Sequence, residues 1–207
     1  MIPGVAREVF GENVELASRY VDILASWGIE WGLIGPREAP RLWDRHVLNS
    51  AALSGLIERH ASVVDVGSGA GLPGVPLALA RPDLKVCLVE PLLRRFRFLM
   101  ELVAELELGD RVRVLRSRAE ELDCAFDAVT ARAVAPLVKL IGWTQRLFVP
   151  RGELLALKGS SAETELAAAE GGLRKRGLSA ELVTVYAAAG SAMTRVVRVR
   201  AVADLSR

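Results

Sequence analysis

The run VVDVGSGAGLPGVPLA, residues 63–78, sets three glycines, Gly67, Gly69 and Gly71, directly after an apolar β-branched segment. Glycine at such positions lets the backbone take positive φ and lets a ligand lie close against it. A glycine loop at the carboxyl end of a first strand is where open α/β sheets bind their ligands. The dinucleotide fingerprint requires G-x-G-x-x-G. Counted from Gly67, the sixth position is Leu72, so this loop departs from it.

An alternating G-x-G-x-G preceded by an acid, here Asp65, fits the loop that holds S-adenosylmethionine. That molecule has no pyrophosphate, so the loop need not aim helix amides at an anion. Asp65 can organise the region instead. Glu90 closes the next apolar run, where a carboxylate can accept both hydroxyls of a ribose. Ala119 and Glu120, in RSRAEEL, are placed to reach an adenine edge; for Glu120 a helix-capping role is an equal alternative.

The segment DAVTARAVAPL ends the fourth strand, where an acceptor must approach. Enzymes that methylate exocyclic amines of bases carry Asn/Asp-Pro-Pro-aromatic there, and this chain has Thr130-Ala131-Arg132-Ala133. Attack by a base carbon needs a cysteine near the same end, whereas Cys124 precedes the strand. An acceptor that is already nucleophilic, such as guanine N7, needs alignment rather than a general base. Arg132 could then hold O6, but a bidentate contact would block N7 itself. The acceptor-site candidates are therefore Arg132, Lys158 and His46, with catalysis by proximity. Trp43 and His46 either face the acceptor or pin a helical cap to the sheet. Lys158 either reaches RNA or is a solvated strand end.

Positioning these residues requires a doubly wound sheet. Residues 61–202 alternate short β-branched runs with helical segments, which implies βαβ units, right-handed crossovers and a mostly parallel sheet of seven strands. ELVTVYA and TRVVRVRAV are joined by the turn-like AAGSAM, which predicts a hairpin and an antiparallel strand at one edge. Residues 5–27 and 41–59 show helical spacing around the Gly/Pro-punctuated GLIGPREAP. The expected division is a helical cap over 1–60 and a ligand-binding domain over 61–207, forming one compact unit.

The 207 residues are 51% hydrophobic, which suits a single domain and excludes disorder. There is neither an apolar run long enough to span a bilayer nor a secretory signal, so no membrane association and a cytoplasmic location are expected. Two cysteines make no disulfide framework, and no Cys/His cluster has zinc spacing, so no metal is expected. The net charge of +2 says little, but arginines cluster. Arg94, Arg95 and Arg97 form one group, Arg111 to Arg118 a second, and Arg195, Arg198 and Arg200 a third. Such groups suit a polyanion such as RNA, or simply a solvated face. The RNA-contact candidates are Arg94, Arg95, Arg97 and Arg195.

With these residues in place, the chain resembles the bacterial small-subunit rRNA guanine-N7 methyltransferase G family, also called glucose-inhibited division protein B. The resemblance is carried by LWDRHVLNS at 42–50, the glycine loop with Leu-Pro-Gly-Val-Pro at 63–80, LVEPLLRRFRFL at 88–99, SRAEEL at 117–122, DAVTARAVAPL at 127–137 and PRGELLALKG at 150–159. It implies a class I Rossmann-like methyltransferase that uses S-adenosylmethionine on N7 of one guanine in the helix 18 loop of 16S rRNA. The assembled small subunit would be the substrate, a monomer the working form, and low-level streptomycin resistance the consequence of loss. It implies cofactor contacts at Gly67, Leu72, Ala119, Glu120 and Arg132, with Glu90 at the ribose. Asn49-Ser50 stands where the family often has Asp-Ser, and Arg94 where it often has lysine. The alternatives are a nicotinamide-dependent oxidoreductase, a non-catalytic rRNA-binding assembly protein and a small-molecule methyltransferase. The departing glycine spacing disfavours the first, the intact loop and Glu90 the second, and the arginine clusters the third.

Overall fold

The computed structural model describes residues 1–202. At its centre lie seven strands: β1 Ser62–Val66, β2 Lys85–Val89, β3 Val112–Leu115, β4 Ala128–Arg132, β5 Glu153–Lys158, β6 Leu178–Val185 and β7 Thr194–Ala201. They form one sheet in the order β3-β2-β1-β4-β5-β7-β6. The first five pair in parallel. The late hairpin forms as expected, and the edge strand β6 pairs antiparallel with its neighbour. The strand that runs against the first five is β7, one place in from the edge, between β5 and β6.

The helices α4 Gly74–Ala80, α5 Leu93–Glu105, α6 Leu137–Phe148 and α7 Ala162–Lys175 cover the two faces. Alternate strand residues feed two cores, as the period of two dictates. Val63, Val86 and Leu88 pack with α4 and α5. Val64, Cys87 and Val129 pack with α6 and α7. Burial on both sides explains why these strands read as continuous apolar runs.

The first sixty residues join the α4/α5 core: Phe10, Tyr20, Leu24, Leu42 and Leu53 are all buried there. The single helix expected over 5–27 is instead broken. Gly11, at φ +50°, ends α1 (Gly4–Phe10), and the chain restarts through a 3₁₀ turn into α2, Val14–Ile23. The helix expected over 41–59 stops at Leu56 and changes pitch on the way. Leu42–Leu48 is π-helical, α3 is only Asn49–Ala51, and Ala52–Leu56 is 3₁₀. Arg81 explains the stop. It donates to the carbonyls of Ser54 (2.8 Å), Ile57 (3.0 Å) and Glu58 (3.1 Å), satisfying acceptors that a further turn would have used.

Candidate active site: two cavities on one wall

At the carboxyl ends of β1, β2 and β4 lies a cavity of about 560 Å³, a small-molecule size. The glycine loop forms its floor. Gly67 has φ +68°, and a Cβ there would stand 2.9 Å from Val134 Cγ2. Both backbone sterics and space therefore demand glycine. The next helix is pressed equally close: a Cβ on Gly74 would meet Leu88 Cδ2 at 2.3 Å.

Glu90 is 2% exposed and faces the cavity. Its Oε2 accepts the Gly69 N–H at 3.1 Å, and its Oε1 accepts the Leu92 N–H at 3.0 Å. Each oxygen keeps a further lone pair for a ligand hydroxyl. The Arg95 guanidinium stands 3.9 Å away. Leu72, Ala119, Glu120 and Arg132 line the same cavity.

Asp65 and Gly71 do not. Asp65 is fully buried behind the loop, where Oδ2 accepts the Gly74 N–H at 3.0 Å and Oδ1 accepts the Thr130 hydroxyl at 3.1 Å. It shapes the loop and contacts no cavity space, because α4 closes over it. Burial without a cation pushes its pKa up to about 7. Gly71, at φ +92°, abuts Val75 rather than the cavity.

Residues with no signal of their own in the sequence complete the walls. Leu33 and Ile34 come from the punctuated loop of the cap, and Trp143 comes from α6. Tyr20 lies behind the floor, fully buried, and donates its hydroxyl to the Ala70 carbonyl at 2.9 Å. Burial raises its pKa well above the ordinary phenol. A tyrosine on the apolar face of α2 reads as core, and only the fold shows what its hydroxyl meets.

A second cleft, of about 970 Å³, adjoins the first. Arg132, Ala133 and Val134 line both and form the shared wall. Ala133 holds φ +54°, an uncommon conformation for a residue with a Cβ. Arg41, Arg45 and Arg195 give the second cleft its positive character, and Asn49 ties the cap to β7 through Thr194 Oγ1 at 2.6 Å.

The candidate acceptor-site side chains turn out to be engaged. Lys158 lines the second cleft, but its ammonium donates to the Ala135 carbonyl (2.8 Å) and to Glu165 Oε2 (2.7 Å). It is neither a solvated strand end nor a free cation, because it anchors the segment after β4 to α7. Burial alone would raise the Glu165 pKa, but Lys158, the Leu137 N–H and Ser161 together hold it below the ordinary value. Arg132 donates to the carbonyls of Arg45 (3.1 Å) and His46 (3.2 Å), to Ser50 Oγ (3.3 Å) and to His46 Nδ1 (2.8 Å). Those partners commit its four terminal N–H hydrogens, so a contact from them to a guanine O6 would require exchange. His46, 9% exposed, bonds Arg132 on one side and Glu38 on the other. Trp43 packs against Phe10 with centroids 6.4 Å apart, within the cap.

The arginine groups divide. Arg94, Arg95 and Arg97 are exposed on α5, but only Arg95 reaches the first cavity. Arg195 opens onto the second cleft and pairs with Glu163 at 3.4 Å. Arg198 and Arg200 lie further along β7 and pair with Glu153, away from both cavities. Alternation and direction along one strand scatter what the sequence places together. Cys87 is a buried thiol with its pKa raised to about 11 by desolvation, and Cys124 is exposed before β4. Among the described residues, no His/Cys/Asp/Glu group could hold a metal, and no helix is long and apolar enough to cross a membrane.

Comparison with known proteins points the same way. The family model described as rRNA small subunit methyltransferase G matches residues 13–193. The chain is 54% identical over 202 residues to the Ribosomal RNA small subunit methyltransferase G of Kineococcus radiotolerans, covering 96% of this chain and 79% of that one. It is 55% identical to the protein of the same name from a Nocardioides species, covering 96% and 80%. Among solved structures it resembles the S-adenosylmethionine-dependent methyltransferase SibL (TM-score 0.60, 18% identity, 80% of this chain and 57% of that one). It also resembles the B. subtilis tRNA methyltransferase TrmK (TM-score 0.59, 15% identity, 76% and 66%). At these identities the structures speak to the fold, which is that of class I methyltransferases.

Proposed function

The chain belongs to the rRNA small subunit methyltransferase G family and is a methyltransferase, and from that premise we propose that it carries a methyl group from S-adenosylmethionine to N7 of one guanine in the helix 18 loop of 16S rRNA. The substrate is the assembled small subunit, and the enzyme acts as a monomer. The observation that carries the reading is the shared wall. A small-molecule cavity with a buried carboxylate and a larger cleft edged by Arg41, Arg45 and Arg195 meet at Arg132–Val134.

The first cavity fits the methyl donor. Glu90 is held by two backbone N–H groups with lone pairs to spare for both ribose hydroxyls. The glycine floor packs against Val134 at Gly67 and leaves open space at Gly69, where no side chain stands within 4 Å of a Cβ position. Ala119 and Glu120 face the adenine, with Trp143 on the adjoining wall. Bound there, the donor supplies an electrophilic methyl on a sulfonium. The chain's own residues hold and align. The helical cap of residues 1–60 and the sheet domain that follows work as one unit on this reading, since Tyr20 braces the floor from the cap side.

What stands at the wall supports an acceptor with no proton to lose. Lys158 is ion-paired, and both ring nitrogens of His46 are engaged. Neither of these two candidates is free to take a proton from an acceptor. Guanine N7 has none to lose, so alignment alone suffices. A structured loop that splays its base exposes N7 at small cost.

The test is methyl transfer from labelled S-adenosylmethionine to small subunits lacking the modification, with naked 16S rRNA alongside and N7-specific cleavage to map the product. One methylated guanine in the helix 18 loop is the expected result. Transfer elsewhere, or to naked RNA alone, overturns the assignment.

A further inference from the structure

Arg132 is an unusual cation. It walls both cavities, burial lowers its pKa, and its four terminal hydrogens all go to uncharged acceptors rather than to a carboxylate. Two of those acceptors are backbone carbonyls and one is the fully buried Ser50 hydroxyl. The fourth is a ring nitrogen, and it is the one whose state can change.

Arginine only donates, so the Arg132 Nη2 contact at 2.8 Å requires a lone pair on His46 Nδ1. The ring proton then sits on Nε2 and points at Glu38 Oε2, 2.8 Å away. Glu38 Oε1 is also 3.4 Å from Arg45. The result is a chain of three side chains, Glu38 to His46 to Arg132, that runs from the surface of the cap to the wall between donor and acceptor.

We propose that His46, set by Glu38, is a positioning residue for methyl transfer: its neutral Nε2–H form holds the Arg132 guanidinium at the shared wall, and protonation of the ring releases it. The proposal rests on the methyl-transfer reading of the two cavities. A protonated ring would present Nδ1–H to a guanidinium, two donors and two cations face to face. The charged groups around the ring are Glu38, Arg132 and Arg45, with Arg41 acting on Glu38. Burial lowers the His46 pKa, Glu38 opposes it, and Arg132 adds to the lowering. A histidine is charged below its pKa, so the hold is intact at neutral pH and above. It is lost only on acidification, below the ordinary imidazole value of ~6.5.

Two replacements separate the two halves of the ring. His46→Asn puts a carbonyl oxygen near the Nδ1 position and gives up Glu38. His46→Gln reaches Glu38 and leaves Arg132 without its acceptor. Methyl transfer to small subunits, measured across pH 5.5–8.5, should fall on the acid side in the wild type. The Asn variant should keep kcat within about threefold and lose the acid limb, while the Gln variant should lose about tenfold or more, the scale of a hydrogen bond to a charged group. Equal behaviour of the two variants, or an unchanged acid limb in both, overturns the proposal.

Ring ¹⁵N shifts in the cofactor-free protein give a second arm. The only other histidine, His60, is exposed and serves as the reference. A lone pair on His46 Nδ1 is expected, and a proton there overturns the positioning whatever the activity. A wild type that binds no S-adenosylmethionine overturns the methyl-transfer reading, and the role with it, even if the tautomer is as expected.

Discussion

The two cavities that meet at Arg132–Val134 are built on opposite principles. The smaller one is closed by groups that bond to one another before any ligand arrives: Glu90 to two backbone N–H groups, Asp65 to Gly74 and Thr130, Tyr20 to Ala70. The larger one is edged by long exposed cations, Arg41 and Arg45, with Arg195 half-buried beside them. A small donor with fixed hydroxyls rewards the first arrangement, because freedom given up before binding is not lost again on binding. A polyanion rewards the second, because phosphate contacts gain by releasing counterions and tolerate adjustment.

That contrast can be broken at specific residues. The largest effect is expected at the floor. Gly67→Ala forces a Cβ into positive φ and against Val134, which together cost about 3 kcal/mol or more, roughly a hundredfold in donor affinity. Calorimetric titration with S-adenosylmethionine measures it, and small-subunit binding should persist. If both are lost together, the cavities are not separate. Glu90→Ala should weaken the donor by about tenfold through the ribose hydroxyls. Unchanged affinity would remove Glu90 from that role.

At the second cleft, Arg41→Ala with Arg195→Ala should leave donor affinity intact. It should reduce the slope of log affinity for small subunits against log salt by about 1.5–2, as lost phosphate contacts do. An unaltered slope moves the RNA surface elsewhere, with exposed Arg94 and Arg97 on α5 the next pair to remove.

The smallest effect sharpens the comparison through pH. Asp65 has its pKa raised to about 7 by burial, so the fold favours its protonated form. Stability on this account is fully present below the unfolded value of ~3.9 and declines as pH rises towards 7. Asp65→Asn should therefore gain on the wild type progressively over that window, read as the difference in urea midpoints. A constant difference would mean that Asp65 stays ionised in the folded chain.

What the sequence made legible follows from where each signal resides. Strand runs, the glycine loop and Glu90 are local: each is a pattern within a few residues, and Gly67, Gly69 and Glu90 reach the cavity, although Asp65 and Gly71 stand behind the loop. The cap is local only in part. Gly11 breaks its first helix locally, but the stop of the second depends on Arg81, a residue that lies beyond β1 and takes the carbonyls of Ser54, Ile57 and Glu58. The same holds for the wall. Lys158 reads as a strand-end cation, and only the packing of α7 reveals Glu165 beside it. Arg132 reads as a hand extended to the acceptor, and only the cap reveals that it is already held.

One feature of the sheet bears on how the chain is made. β7, made after β5 and β6, does not end the sheet but fills the gap between them. Until it arrives, β5 has an open edge that carries the apolar run Leu154–Leu157, and β6 has no neighbour to dock against. Such an edge is a template for pairing with another chain. A chain lacking residues 194–201 is thus an aggregation-prone species, and β7 acts as the sheet's keystone.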